Sequence, residues 1–530
     1  MGDLLLQRLA VARAAATQRQ PTSRLLCACL REAILDGTLP AHTRLPPTRD
    51  LAGELGVSRN TVLYAYDQLA AEGCLVSRTG SGSFVADLSA DRFIATPPAV
   101  GTRAPSPAPA PLPSGVSARG EALLGRVSAT DVQWGAFLPG VPDVTEFPQQ
   151  RFAQITAQCA RRGPPALRSY ATAGGHPALQ RSLAQYLRQV RSVQCEPEQI
   201  LITEGVHQAV DLLSRMLADA GDIAWVEDPG YWGTRNILRM NGLQVDAIAV
   251  DADGMQVVEP VPGREPKLAF VTPSHQYPLG PIMALSRRLA LLEAARRHGF
   301  WVVEDDYDSE FRFAGQPIPS LQGLMPDAPV IYVGTFSKTL YPGLRTAYMV
   351  LPPALVDRIG AAQMELYRGG HLLTQAALAE FIDSGHYAAH IRRMRLIYGH
   401  RRAYLVELIT QHLGAEWMHP FDSNAGLHLV MSLPDGLNDV LVSHRAREAG
   451  VLVRPLSRYY EAEVQRQGLL MGFAAVPIEA MQAPFQSLVS CIAGELREPD
   501  LSPVVGPVRA TGPCRAASNS CERLCCINRP

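Results

Sequence analysis

The sequence predicts a multi-domain chain: a small α+β module of winged helix-turn-helix type, then a larger α/β domain on a largely parallel sheet. Three observations predict it. Helical periods punctuated by Gly and Pro run from Thr22 to about Glu72, then give way to two strand-like runs ending at Val85. From about Trp134, apolar runs such as Ile200–Thr203, Ile223–Val226, Leu268–Val271 and Trp301–Glu304 alternate with helical stretches, the pattern of a parallel sheet with crossover helices. Between them Pro97, Pro98, Pro105, Pro107, Pro109, Pro111 and Pro113 alternate with Ala, Ser and Gly. Proline removes backbone donors and favours extended polyproline conformations, so this stretch reads as a semi-rigid linker. These breaks place the head module at 22–86, the linker at 87–130 and the body at 131–497. A tail rich in Pro, Ser and Arg, 498–530, is expected to be disordered.

Bulk properties allow this division. A chain of 530 residues is too long for one ordinary core. Its composition, 47% hydrophobic and 19% charged, is globular. The formal net charge of −1 gives no sign of nucleic acid, and the first 86 residues carry only nine Arg, no Lys and seven acidic residues. A DNA-binding reading therefore rests on pattern rather than on a basic surface. No apolar run approaches the roughly 18 residues that span a bilayer, so no membrane partner is expected. The opening MGDLLLQRLAVARAAATQRQ has the look of a targeting helix, but it lacks a long apolar centre and carries Asp3. The expected location is cytoplasmic, and most of the ten cysteines read as reduced thiols. Cys514, Cys521, Cys525 and Cys526 cluster in the tail. Their spacing fits no paired C-x-x-C pattern, and no metal site is assigned to them.

In the head, a helix is expected from Ser23 to Asp36, with Leu26, Leu30 and Ile34 on one face and Gly37 ending it. Pro46 and Pro47 precede a short second helix, Thr48 to Leu55. Gly56 makes the turn, and Ser58 is placed as N-cap of a third helix reaching about Glu72. Val62, Tyr66 and Leu69 give that helix its apolar face. The run Cys74 to Val85 forms two strands joined at Gly80-Ser81-Gly82. Helix, turn, helix and wing is a common way to set one helix in the major groove. The third helix opens with Ser58, Arg59, Asn60 and Thr61, able to donate to phosphates or base edges. Arg49 and Arg44 are candidates for the DNA backbone, and Gly82 allows the wing close approach to a groove. On residues alone, a helical module with ordinary surface arginines is the alternative.

The stretch from LREAILDGTLP through VSRNTVLYAYDQLAAEGCLVSRTGSGSFV resembles the GntR family of winged-helix repressors, over about residues 22 to 86 without a gap. The resemblance implies roles at DNA for Arg49, Arg59, Asn60 and Thr61, with the wing near Gly82 in the minor groove. One departure is His42, where the family has Gly in a turn.

In the body, five segments point to one chemistry. Thr335-Phe336-Ser337-Lys338 follows the strand-like Val330–Gly334; a Lys among small and hydroxyl side chains can form a Schiff base with an aldehyde, and a solvated surface Lys is the plain alternative. Glu304-Asp305-Asp306-Tyr307 ends another strand-like run. A carboxylate there can keep a pyridinium nitrogen protonated, or equally hold a metal or cap a helix. Arg345 suits a phosphate. Thr203-Glu204-Gly205-Val206-His207 runs from strand into helix, where backbone amides bind anions. Glu227-Asp228-Pro229-Gly230-Tyr231 offers an aromatic face to a planar ring.

Together and in this order they resemble fold-type I aminotransferases, from about Trp134 to Glu495. The segments VEDPGYWG, VTPSHQYPLG, VVEDDYDSEFRF and GTFSKTLYPGLRTAYMVLP are similar to the MocR/GabR group, in which a GntR head is fused to an aminotransferase-like body. The resemblance implies pyridoxal phosphate as cofactor. By it, Lys338 is the catalytic residue and forms the internal aldimine, Asp305 pairs with the ring nitrogen and Tyr307 hydrogen-bonds the ring hydroxyl. Tyr231 stacks on the ring. Val206 and His207, through backbone amides, hold the phosphate with Thr335, Ser337 and Arg345, and His275 lies in the loop beneath the cofactor. Two departures stand out. Leu470 falls where aminotransferases carry the Arg that grips a substrate carboxylate, and Gly233 where the GABA-responsive member has a ligand-binding Arg. Arg454, Arg458 and Arg466 are candidate substitutes.

The reading that follows is a regulator binding a double-stranded operator with two half-sites as a homodimer. Its effector is an amino compound or pyridoxal phosphate itself. A working aminotransferase with a DNA-binding appendage is the second reading, and a cofactor-free body used only for dimerisation the third.

Overall fold

The computed structural model describes residues 2–15, 21–78, 81–87, 115–125, 132, 134–171, 173–315 and 318–497. The proline-rich stretch 97–113, the wing residue Gly80 and the cysteine-bearing tail 498–530 lie outside them. The chain divides into two compact units, residues 1–113 and 114–530.

In the first unit, α1 (Gly2–Ala15), α2 (Thr22–Leu35), α3 (Thr48–Leu55) and α4 (Arg59–Ala71) precede β1 (Leu75–Arg78) and β2 (Gly82–Val85). Helix ends follow local chemistry. Gly56 adopts φ 61, the left-handed conformation that ends α3. Ser58 caps α4, its Oγ accepting from the Thr61 amide at 3.2 Å. β1 and β2 pair antiparallel, Leu75 opposite Val85 and Arg78 opposite Gly82. Leu26, Leu30, Leu51, Val62, Leu69 and Val85 form the core.

Two features of the head go beyond the expectations. The opening segment is a helix of this core: Leu5 and Leu9 are fully buried in it, and Arg8 Nη2 donates to Asp36 Oδ2 at 2.7 Å. Leu9→Ala is expected to destabilise the head by about 2–5 kcal/mol, as for other buried Leu truncations. The measurement is faster amide hydrogen exchange in α2 and α4, with exchange in the body's sheet unchanged. His42 does occupy a turn that calls for glycine. It sits at φ 67, with its amide donating to Val85 O at 2.9 Å, so the chain tolerates a strained non-glycine residue there.

The second unit opens with α5 (Ala118–Leu124), inside the segment read as linker. Ser117 caps it, and Arg119 Nη1 donates to Met240 O at 3.2 Å, so folded structure begins upstream of residue 131. Proline content marked the break, but a seven-residue helix offers too little periodicity to be seen.

The centre of this unit is an eight-stranded sheet made of β3 (Ile200–Thr203), β4 (Ile223–Asp228), β5 (Gln244–Asp251), β6 (Gly254–Met255), β7 (Pro266–Val271), β8 (Trp301–Asp306), β9 (Val330–Thr335) and β10 (Ala347–Val350). The order is β3-β10-β9-β8-β7-β4-β5-β6. The run β9-β8-β7-β4-β5 is parallel, and β10 is antiparallel to both β9 and β3. Every residue of β4 and β9 is buried, as expected for parallel strands covered on both faces. A smaller antiparallel sheet of β11 (His428–Ser432), β12 (Arg454–Pro455) and β13 (Gly468–Gly472) has the order β11-β13-β12. Among the described residues no helix is long and apolar enough to cross a membrane.

Candidate functional site

In parallel sheets of this kind, ligands sit beyond the carboxyl ends of the strands. Here the antiparallel β10 sharpens that placement. Its first residue, Ala347, lies opposite Thr203 at the end of β3 and Thr335 at the end of β9. Arg345, two residues earlier, is thereby brought to the loop after β3, where its Nη2 donates to Glu204 O at 3.0 Å. Gly205, at φ 92, precedes the helix Val206–Leu217. A Cβ at this glycine would stand 3.1–3.3 Å from the Arg345 guanidinium. Amides at a helix N-terminus and a guanidinium thus share one corner, a built anion cradle. Thr335 and Ser337 flank it, the Ser337 amide donating to Thr335 Oγ1 at 3.1 Å.

Lys338 lies three residues beyond β9. Its Nζ donates to Gly140 O at 2.7 Å, across 198 residues of sequence. Burial pushes its ammonium below the ordinary lysine range, against the pull of the Asp308 and Asp305 carboxylates. Near the end of β8, Asp305 Oδ1 is buried and without a hydrogen-bond partner among the described residues. Burial first, then the neighbouring Asp306, pushes this carboxyl up to about 7. Leaving a buried acceptor unmet costs about 1–3 kcal/mol, so a cationic N–H facing it would be strongly favoured.

Around these groups the rings are tied together. Tyr307 Oη lies 2.9 Å from His275 Nδ1, and Asp308 Oδ2 lies 3.1 Å from the same nitrogen. His275 therefore positions the Tyr307 hydroxyl, a role the sequence left open. Tyr231 Oη lies 2.9 Å from His207 Nε2. The His207 side chain, not only its amide, thus helps build the site. Burial, reinforced by the Arg345 and Lys338 charges, holds that imidazole below its ordinary pKa.

An unmet carboxylate oxygen, a desolvated lysine amine and an anion cradle at one end of the sheet match the ring nitrogen, aldehyde and phosphate of pyridoxal phosphate. The residues present fit the group. They do not form a carboxylate anchor at position 470 or at position 233. Leu470 is fully buried in an apolar cluster with Val430, Leu456 and Tyr459. Gly233 is buried, and a Cβ there would fall within 2.4–2.6 Å of the Tyr231 ring and 2.8 Å of His207 Nε2. An Arg at 233 is therefore incompatible with this placement of Tyr231.

The head presents a second candidate surface. Arg49, Arg59 and Asn60 are exposed, and Thr61 is half-buried. Ser58 and Thr61, read as groups for DNA, also serve the helix itself: their hydroxyl oxygens lie 2.9 Å apart. At the wing, exposed Arg44 lies along Gly82, whose Cβ would meet its Nε at 3.4 Å. Arg78 stacks over the Phe84 ring at 5.3 Å.

Several residues here were not singled out from sequence. Asp308 lies in the segment VVEDDYDSEFRF, whose pattern assigns it no role. Gly140 contributes only a carbonyl, for which no sequence signal exists. Tyr277, His428 and Tyr459 form an aromatic wall: Tyr277 lies 5.8 Å from both Tyr231 and Tyr307, 5.2 Å from His428 and 5.4 Å from Tyr459.

Comparison with known proteins agrees with the folds of both the head and the body. Residues 23–85 match the family described as bacterial regulatory proteins, gntR family, and residues 146–476 match aminotransferase class I and II. The chain is 42% identical to the probable rhizopine catabolism regulatory protein MocR of Rhizobium meliloti, over 89% of this chain and 93% of that one. It is 31% identical to the pyridoxine biosynthesis transcriptional regulator PdxR of Corynebacterium glutamicum, over 84% and 90%. Among solved structures it resembles kynurenine aminotransferase of Pyrococcus horikoshii, solved in complex with PMP. The TM-score is 0.62 at 27% identity, covering 72% of this chain and 96% of that one. LysN, the α-aminoadipate aminotransferase of Thermus thermophilus, complexed with N-(5'-phosphopyridoxyl)-L-leucine, matches with a TM-score of 0.64 at 26% identity, over 71% and 99%.

Proposed function

Because the chain belongs to the MocR-type regulators, in which a gntR-family DNA-binding head is joined to an aminotransferase-like body, we propose that its body senses a small amino compound, or pyridoxal phosphate itself, and thereby alters operator binding by the head. The protein is a pyridoxal-phosphate-dependent transcription regulator, and the sensing step is the proposal. One observation supports it: groups that would suit the cofactor gather around Lys338 and Asp305, while the anchor position of a transaminase holds the buried Leu470.

When bound, the cofactor supplies an electron sink and a reactive aldehyde carbon. Each residue then has a task. Lys338 Nζ would be the amine that takes the aldehyde. Asp305 would accept from the ring N–H, and the His275–Asp308 pair would keep the Tyr307 hydroxyl turned toward the ring oxygen. Tyr231, held by His207, would offer its ring to the cofactor. The Val206 and His207 amides, Thr335, Ser337 and Arg345 would hold the phosphate. In the head, Arg59, Asn60 and Thr61 read the major groove, Arg44, Arg49 and Ser58 hold phosphates, and the wing at Gly82 approaches the minor groove. We further propose a cytoplasmic homodimer on two half-sites, since a dimer presents two reading helices.

Without a carboxylate anchor at 470, an α-amino acid is not held with its labile bond aligned to the ring, and misalignment alone can cost about 10²-fold in rate. Steady-state assays with a panel of amino donors and keto acids are therefore expected to show turnover well below 1 s⁻¹, while the same amines change operator mobility in a gel shift. Sustained turnover on the order of 1 s⁻¹ or more would promote the aminotransferase reading instead.

A further inference from the structure

The small sheet places an arginine beside the vacated anchor position. β12 and β13 pair antiparallel with Arg454 directly opposite Leu470. Residues directly opposed in an antiparallel pair project from the same face of the sheet. Arg454 therefore leaves the sheet on the same face as Leu470, which belongs to the apolar cluster that includes Tyr459 and against which Tyr277 packs. Those two tyrosines face each other, Oη to Oη at 3.1 Å. Only one O–H can be used between them, which leaves one phenolic proton free to donate elsewhere. The charge of Arg454 acts on both phenols, opposing the effect of their burial.

Three of the other four arginines nearby have partners, and the fourth, Arg458, is exposed. Arg235 and Arg239 lie on Glu461 at 3.8 and 2.6 Å. Arg466 stands 6.0 Å above the Phe421 ring. Arg454 is half-buried, and among the described residues its side chain makes no hydrogen bond or ion pair. Arginine is seldom buried without a partner, and an open guanidinium fork next to a free phenolic donor matches a carboxylate.

We propose that Arg454, with the Tyr277–Tyr459 hydroxyl pair, binds the carboxylate of the amino compound to which this regulator responds, the guanidinium having moved one strand across from position 470. The inference rests on the sensor reading above and adds the chemical class of effector: an amine that also carries a carboxylate. The moved anchor leaves from a different strand. It can hold such a ligand without reproducing the alignment of an anchor at 470, so binding and slow turnover are compatible.

The test titrates the purified holoprotein with matched pairs, L-alanine against ethylamine and 4-aminobutyrate against butylamine, following visible absorption and operator mobility. For at least one pair, the carboxylate-bearing member is expected to have an apparent Kd about tenfold to a hundredfold lower, the range of a charge-assisted contact. Arg454→Gln should reduce that ratio to within about twofold while keeping the cofactor band. Arg454→Lys should retain part of it, and Arg458→Gln all of it. Undiminished selectivity in Arg454→Gln overturns the inference. So does a wild-type protein that binds each amine as well as its amino acid, an outcome that needs no variant to fold. If no probe changes either the spectrum or the operator mobility, the sensor reading falls, and this inference with it.

Discussion

Replacing Lys338 by alanine is expected to abolish the visible absorption band of the purified protein and its retention of cofactor on dialysis. The chain has only two lysines, Lys267 and Lys338, so the expectation is unusually sharp. Lys267 is exposed near the start of β7, whereas the site lies beyond the opposite ends of the parallel strands. Four residues of strand separate it from Val271, about 13 Å at the usual rise, so it cannot substitute. Lys338, by contrast, is held by Gly140 O at 2.7 Å and lies close enough to Asp305 and Asp308 to feel both charges. Borohydride reduction followed by peptide mapping should place the adduct on Lys338 in the wild-type protein. A Lys338→Ala protein that kept its band after dialysis would refute the assignment.

The second large effect is expected at the head. Arg59→Ala should weaken operator binding by about 1–3 kcal/mol, roughly tenfold to a hundredfold, if Arg59 reads a base edge. The same variant should bind pyridoxal phosphate as the wild type does. Arg59 belongs to the unit 1–113 and all the cofactor residues to the unit 114–530, so the substitution removes no cofactor contact. Arg59 is the first residue of α4 and is exposed, so its removal leaves the core formed by Val62 and Leu69 intact. A salt-matched gel shift decides, since phosphate contacts make affinity depend steeply on salt. An unchanged Kd would remove Arg59 from the interface.

What could be read from the chain alone was whatever depends on near neighbours. The period of Leu26, Leu30 and Ile34 gave a helix that occurs at Thr22–Leu35, and Ser58 three residues before Thr61 gave a cap that the structure contains. Short apolar runs gave strands, since a residue run buried on both faces carries its own signature. The motif order around Asp305, Lys338 and Arg345 was legible for the same reason, each motif being a local turn at a strand end. The departure at His42, where the resembled family has Gly, corresponds to a residue at φ 67.

The remainder depended on pairing between distant segments, which leaves no local trace. Strand order and register decided that Arg345 meets Glu204 and that Arg454 stands opposite Leu470. Lys338 meets a backbone carbonyl 198 residues away, and a carbonyl is the same in every residue. The docking of α1 turned on two leucines whose partners lie in other helices, and a helix so short in apolar pattern declares itself only when Leu5 and Leu9 find that core. Periodicity and capping are properties of a few adjacent residues, so sequence alone determined the elements and the candidate chemistry. Hydrogen-bond register and side-chain packing join residues across the whole chain, so only the tertiary structure decided which carboxylate oxygen lacks a partner, which histidine holds a phenol and which arginine is left open to a ligand.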